Sequence, residues 1–159
     1  MQLFRIGPDR YINDLAGRGG SYKNGARWNL SGQPALYFGT SAAVAMLEMG
    51  NYIPSPKLVP KGYVLGTFDV ASTAIETVEL TDLPDDWDQF PYPKCTQQLG
   101  SAFLARNQNL ILLVPSCAAA GLDQIAVVNP LHPDISTITL VDTNDQIYNT
   151  RLFKGLGKG

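Results

Sequence analysis

Residues 109–114 read NLILLV, and Pro115 closes the run. An apolar stretch this short, stopped by a proline, predicts a buried strand. Other short segments repeat the theme. QLFRI at 2–6 alternates as an opening strand, with Leu3 and Arg5 on one face and Phe4 and Ile6 on the other. ALYF at 35–38, residues 62–70, a stretch near 74–80, and residues 124–128 and 135–141 also read as strands. Helices are fewer. Thr40 or Ser41 offers an N-cap for a helix over 42–49, ended by Gly50 and Pro54. Residues 96–106 predict a second helix, with Leu99 and Phe103 on one stripe. Residues 17–34 and 81–94 are rich in turn-forming residues and read as loops, and NPLHPD at 129–134 reads as a turn-rich connector. Short strands mixed with two or three helices predict an α+β fold with a mixed or antiparallel sheet. No repeat or linker divides residues 1–159, so a single domain is expected.

Charge narrows the function. Asp, Glu, Lys and Arg make up 16% of the chain, below the usual quarter, so much of the surface is uncharged or covered by a partner. The formal net charge of −2 argues against direct nucleic-acid binding. No segment approaches a membrane span, and the opening MQLFRIGPDR resembles neither a signal peptide nor a lipidation motif. Cys95 and Cys117 make no disulfide framework and read as buried structural cysteines, so a cytoplasmic protein is expected. Residues 1–27 carry Arg5, Arg10, Arg18, Lys23 and Arg27, whereas residues 62–93 carry seven acids and no base. This predicts an anion-binding amino-terminal region and a separate acidic surface. Charge reversal within the acidic loop 82–88 is therefore expected to spare activity.

Elimination removes several enzyme plans. The one histidine, His132, lies between proline-bearing turns and reads as structural or solvated, so no metal site is expected. There is no GxSxG elbow and no GxxxxGK[ST] loop, and the closing GLGKG reads as a tail. What remains is arginine, tyrosine, glutamate and serine. Glu48 is the one charged residue between Trp28 and Pro56. It falls near the end of an apolar helix, where the helix dipole does nothing for a carboxylate. Either it points to water or it is held in a cleft for catalysis. Arg27, beside Trp28, is either a surface arginine packed on an indole or a fork for phosphate or ribose oxygens. Arg5 needs a salt bridge or a site to line. Tyr37 is either a core tyrosine or one that stacks on an aromatic ligand. Ser116 emerges after the buried strand, as a turn residue or a functional one.

In this order the residues resemble the RES-domain family, named for arginine, glutamate and serine. The resemblance is carried by FRIG at 4–7, ARWN at 26–29, SGQPALYFGTSAAVAMLE at 31–48, LLVPS at 112–116, VVNPLHPD at 127–134 and TRLF at 150–153. Departures are SCAAAGLDQIAVV before the NP and NTRLF in place of an aspartate–proline before the arginine. The resemblance implies an ADP-ribosyltransferase-like fold, with an NAD cleft between small sheets. It implies a toxin that cleaves the nicotinamide–ribose bond, with NAD as substrate and no prosthetic group. A helix-turn-helix antitoxin is the implied partner, in a hetero-oligomer that covers the active site. Glu48 would serve the ribose, Arg27 and Arg5 the phosphate or ribose oxygens, and Tyr37 the nicotinamide end. Ser116 would donate a positioning hydrogen bond, and Asn129 would support a loop at the substrate. Water, inorganic phosphate or a protein side chain would accept the ADP-ribose. Transfer to a protein, or a catalytically silent binding module, are the alternatives.

Overall fold

The computed structural model describes residues 1–53 and 55–152. Pro54, Phe153 and the GLGKG tail fall outside the described residues. The described strands are β1 (Gln2–Pro8), β2 (Leu36–Gly39), β3 (Tyr63–Val70), β4 (Ile75–Thr77), β5 (Ile111–Pro115), β6 (Gln124–Val128) and β7 (Ile138–Asn144). They join in one sheet ordered β4-β5-β6-β2-β1-β3-β7. All neighbours are antiparallel except the parallel pair β4 and β5. The helices are α1 (Gly20–Asn24), α2 (Ala42–Gly50) and α3 (Lys94–Arg106). The chain is thus α+β with a mixed sheet, as its pattern predicts.

The apolar run at β5 follows from what covers it. Ile111 packs on one face with Leu3, Leu36, Phe38, Phe68, Ala126 and Val128. Leu112 and Val114 pack on the other with Trp28, Val44, Phe103, Leu104, Ile125 and Val127. A strand buried on both faces has no polar side, so alternation disappears. β6 is built the same way, its residues going to the two cores in turn. On the first face, Phe38 and Phe68 meet edge to face with ring centroids 5.1 Å apart.

The structure departs from the sequence pattern in a few places. A short helix, α1, interrupts the glycine-rich loop and stops at Gly25, whose φ of 74° suits a residue without a Cβ. Residues 135–137 belong to a 3-10 turn, Pro133–Thr137, rather than to the last strand. His132 caps that turn, its Nδ1 accepting from the Asp134 N–H at 3.1 Å, so the histidine is structural. Cys95 is exposed rather than buried. The expected separate sheets form one ladder, but it is pinched. β1 pairs with β3 over seven positions and with β2 at a single one, Phe4 to Gly39.

Candidate active site

The pinch makes room for a cavity. Where β1 and β2 part, a hollow of about 760 Å³ opens, lined by Phe4, Arg5 and Ile6 on one side and Tyr37, Phe38 and Gly39 on the other. That volume suits a sizeable organic ligand. Arg27, Trp28, Glu48, Asn51, Tyr52, Asp88, Phe90, Tyr92 and Cys117 complete much of the wall. Gly39 brings α2 close to this junction. A Cβ there would lie 2.6 Å from the Ala45 amide nitrogen and 2.8 Å from the Ser41 carbonyl oxygen. Ser41 caps the helix, its hydroxyl accepting from the Val44 N–H at 3.1 Å.

Glu48 reaches the hollow through helical geometry. It follows the buried Val44 and Ala45 by four and three residues, so it shares their face. Its solvent-facing neighbour is Leu47, which is exposed. The Ser116 hydroxyl donates to Glu48 Oε1 at 2.6 Å, and the Asn51 amide donates to Oε2 at 3.3 Å. Ser116 is 0% exposed and does not line the hollow. Its own geometry is fixed by backbone bonds to Asp123 and Gly121 and by the Ala119 N–H, which donates to its hydroxyl at 3.2 Å. Ser116 therefore positions the carboxylate from behind. Tyr148, near the end of the described chain, steadies the same helix by donating to the Met46 carbonyl at 2.6 Å.

Arg27 is placed differently from the free fork of the sequence reading. Its guanidinium grips the acidic loop. Nη1 donates to the carbonyls of Trp87 at 2.6 Å and Gln89 at 3.0 Å, and Nη2 donates to that of Asp88 at 3.3 Å. Its flat face lies 5.1 Å from the Tyr92 ring centroid. The basic amino-terminal region and the acidic segment thus meet at one wall, which overturns the reading of a separate acidic surface. Trp87, buried in the second core, anchors the loop from beneath.

Arg5 also spends donors on backbone. Nη2 bonds the carbonyls of Tyr11, Ile12 and Asp14, and its guanidinium lies over the rings of Phe38 and Phe68. Burial lowers its pKa, and the nearby Asp14 opposes that shift. Among the described residues Arg5 makes no carboxylate ion pair; of the two alternatives it takes the second, lining the hollow while clamping the turn after β1. For both arginines, no described acceptor takes the Nε–H.

The Tyr37 hydroxyl donates to Asn29 Oδ1 at 2.6 Å, and burial pushes its pKa up. Asn29, fully buried, donates in turn to the carbonyls of Ser21, Leu30 and Gln33. This hub folds the ARWN turn and was not singled out by residue chemistry. Trp28 is 1% exposed, and its indole Nε1 is buried with no described partner. Asn129 lies elsewhere. Its amide donates to Leu104 O at 3.0 Å and to Asn107 Oδ1 at 2.9 Å, and it does not line the hollow. It supports the end of α3 and also the turn that follows it, its Oδ1 accepting from the Leu131 N–H at 3.0 Å, away from the hollow.

The sequence reading also missed the aromatic rim. Tyr52 is 74% exposed and Phe90 78%, and Phe90 meets Tyr92 edge to face at 5.3 Å. Exposed rings gathered at a cavity mouth are the available signal. The Tyr52 hydroxyl pKa is pushed up to about 12, by partial desolvation first and then by Tyr92 and Glu48 nearby, with Arg27 opposing. Cys117, read as a structural cysteine, lines the hollow instead. Burial pushes its thiol up to about 11; Arg27 opposes the shift, and Glu48 and Asp88 add to it. Among the described residues, no three His, Cys, Asp or Glu side chains group closely enough to hold a metal ion.

The mixed sheet is split at one strand junction, and guanidinium, carboxylate and aromatic groups line the gap. The RES domain profile matches residues 2–149. The chain belongs to the RES-domain toxin family. It is 29% identical over 147 residues to a protein named Toxin Res of Photorhabdus laumondii, covering 89% of this chain and 92% of that one. It is 30% identical to Toxin Res of Pseudomonas putida, covering 88% and 93%. The Prs ADP-ribosylating toxin of a Sphingobium species is 28% identical, covering 89% and 88%. The fold matches a chain in the crystal structure of the M. tuberculosis MbcT-MbcA toxin–antitoxin complex. There the TM-score is 0.73 at 23% identity, over 91% of this chain and 82% of that one. No described helix is long and apolar enough to cross a membrane.

Proposed function

We propose that this protein is the toxin of a toxin–antitoxin pair and that it breaks the nicotinamide–ribose bond of NAD. The observation that carries the reading is Glu48, bonded by the buried Ser116 and facing a hollow that Arg5 and Arg27 also line. In the reaction the C–N bond breaks and its electron pair goes to the ring nitrogen, which neutralises the cationic nicotinamide. Positive charge moves to the ribose, as in glycoside hydrolysis. No general acid is needed for this leaving group. Glu48 lies ready to stabilise that charge without reorganising, because Ser116 and Asn51 already hold it. The acceptor's oxygen then bonds the anomeric carbon and its proton leaves to solvent or to Glu48. The N–H groups of Arg5 and Arg27 that no described acceptor takes are suited to pyrophosphate or ribose oxygens.

Water and inorganic phosphate are the proposed acceptors. A protein acceptor is the second reading, favoured by the name of the Sphingobium relative. The proposed partner is an antitoxin, in line with the solved neighbour's complex, and of helix-turn-helix type in line with the family resemblance. A cytoplasmic setting, where NAD is abundant, completes the proposal. The test is product analysis after incubating purified protein with NAD, with and without inorganic phosphate and with added cell protein. Free nicotinamide with ADP-ribose, or with its 1-phosphate when phosphate is present, supports cleavage to a small acceptor. Label on protein supports transfer, and intact NAD refutes the proposal.

A further inference from the structure

The acidic loop contributes a carboxylate that the proposed chemistry leaves unused. Asp88 lines the hollow, whereas Asp85 and Asp86 do not. Arg27 holds the Asp88 backbone carbonyl, so the residue's place is set through its main chain. The residue is exposed, and its side chain has no hydrogen-bond donor and no ion-pair partner among the described residues. Glu48 lines the same hollow, and the charges of Arg27, Glu48 and Asp88 all act on the Cys117 thiol there. Glu48 is already satisfied by two donors, but Asp88 is not.

An unpaired carboxylate is a liability beside pyrophosphate and an asset beside a cation. In a nicotinamide dinucleotide the one permanent positive charge is the oxidised ring. We infer that Asp88 is a specificity-determining residue that faces the cationic nicotinamide ring and selects oxidised over reduced dinucleotide. The inference rests on the proposed NAD substrate and deepens it. It also has a consequence for turnover. Cleavage removes the ring's charge, so the attraction that binds NAD vanishes from the product and nicotinamide is free to leave. Because the charge leaves the ring as the bond breaks, Asp88 stabilises bound substrate at least as well as the transition state. Its loss should therefore raise KM and spare kcat.

The experiment compares inhibition by carba-NAD and by NADH during NAD cleavage. Carba-NAD keeps the cationic ring, but its carbocycle resists cleavage; NADH carries a neutral ring. Wild-type protein should bind carba-NAD the more tightly. Asp88→Asn should raise the KM for NAD and narrow the carba-NAD preference, each by roughly tenfold, the scale of one unit charge several ångströms away in a partly solvated cleft. Asp88→Glu should keep the preference, and Asp86→Asn should leave both quantities unchanged. An unaltered preference in Asp88→Asn, in a protein that still cleaves NAD, overturns this inference alone. So does a fall in kcat with no change in KM. A wild-type protein that neither cleaves NAD nor binds carba-NAD overturns both this inference and the reading beneath it.

Discussion

Two walls of the hollow are built on different principles. One is the Glu48 wall, where α2 and the end of β5 meet and a 2.6 Å hydrogen bond from fully buried Ser116 fixes the carboxylate. The other is the loop wall at 87–92, outside any strand or helix, held by Arg27 through three backbone carbonyls and by the Tyr92 ring. The first is set by regular structure and core packing. The second is as firm as one guanidinium and the buried Trp87 make it. Catalytic electrostatics suit the wall set by regular structure and core packing, and ligand recognition can sit on the loop wall.

The contrast can be broken most sharply at Glu48. Glu48→Gln keeps the shape and removes the charge, so nicotinamide release should fall by about two orders of magnitude or more. Activity equal to wild type would remove Glu48 from the chemistry. Ser116→Ala should be next. It deletes a charge-assisted bond of about 1.5–3 kcal/mol, so kcat should fall roughly ten- to hundredfold with little change in KM. A change confined to KM would mean that Ser116 touches substrate rather than Glu48.

Arg27→Ala tests the other wall. It should raise KM about tenfold and increase hydrogen exchange and protease cutting at 85–93, with a smaller effect on kcat. Arg27→Lys should not restore protection, since an ammonium cannot span three carbonyls as a planar fork does. Unchanged exchange in Arg27→Ala would show that Trp87 alone holds the loop. The smallest effect concerns the thiol between the walls. Cys117 rises to about 11 chiefly through burial, so it is protonated at neutral pH. Its alkylation should be slow at pH 8 and should climb with pH through about 11. Fast modification at pH 7 would mean that the hollow is more open than its packing indicates.

The two walls also differ in how well the sequence reveals them. Glu48 stands out as a lone charge in an apolar helix, and Ser116 as the residue after a buried strand. Nothing in the spacing joins them, because they are 68 positions apart. The uniformly apolar α2 could turn any side inward, so packing had to choose the face. The acidic loop misleads for a clearer reason. Its side-chain charges suggest solvent and distance from the basic amino terminus, yet Arg27 binds its carbonyls, which every residue carries whatever its side chain. The lone indole of Trp87 in that polar stretch is the one residue that hints at an anchor.

The sequence by itself determined the α+β character, the Ser41 cap of α2, and the apolar run that had to be buried on both faces. These follow from local periodicity and backbone preference, which are properties of neighbours in the chain. Only the tertiary structure decided that β1 and β2 touch at one residue pair, that a cavity opens there, and that the arginines clamp backbone while Asn129 supports α3 away from it. Such choices depend on which distant groups share a desolvated space, and a linear pattern does not encode that directly.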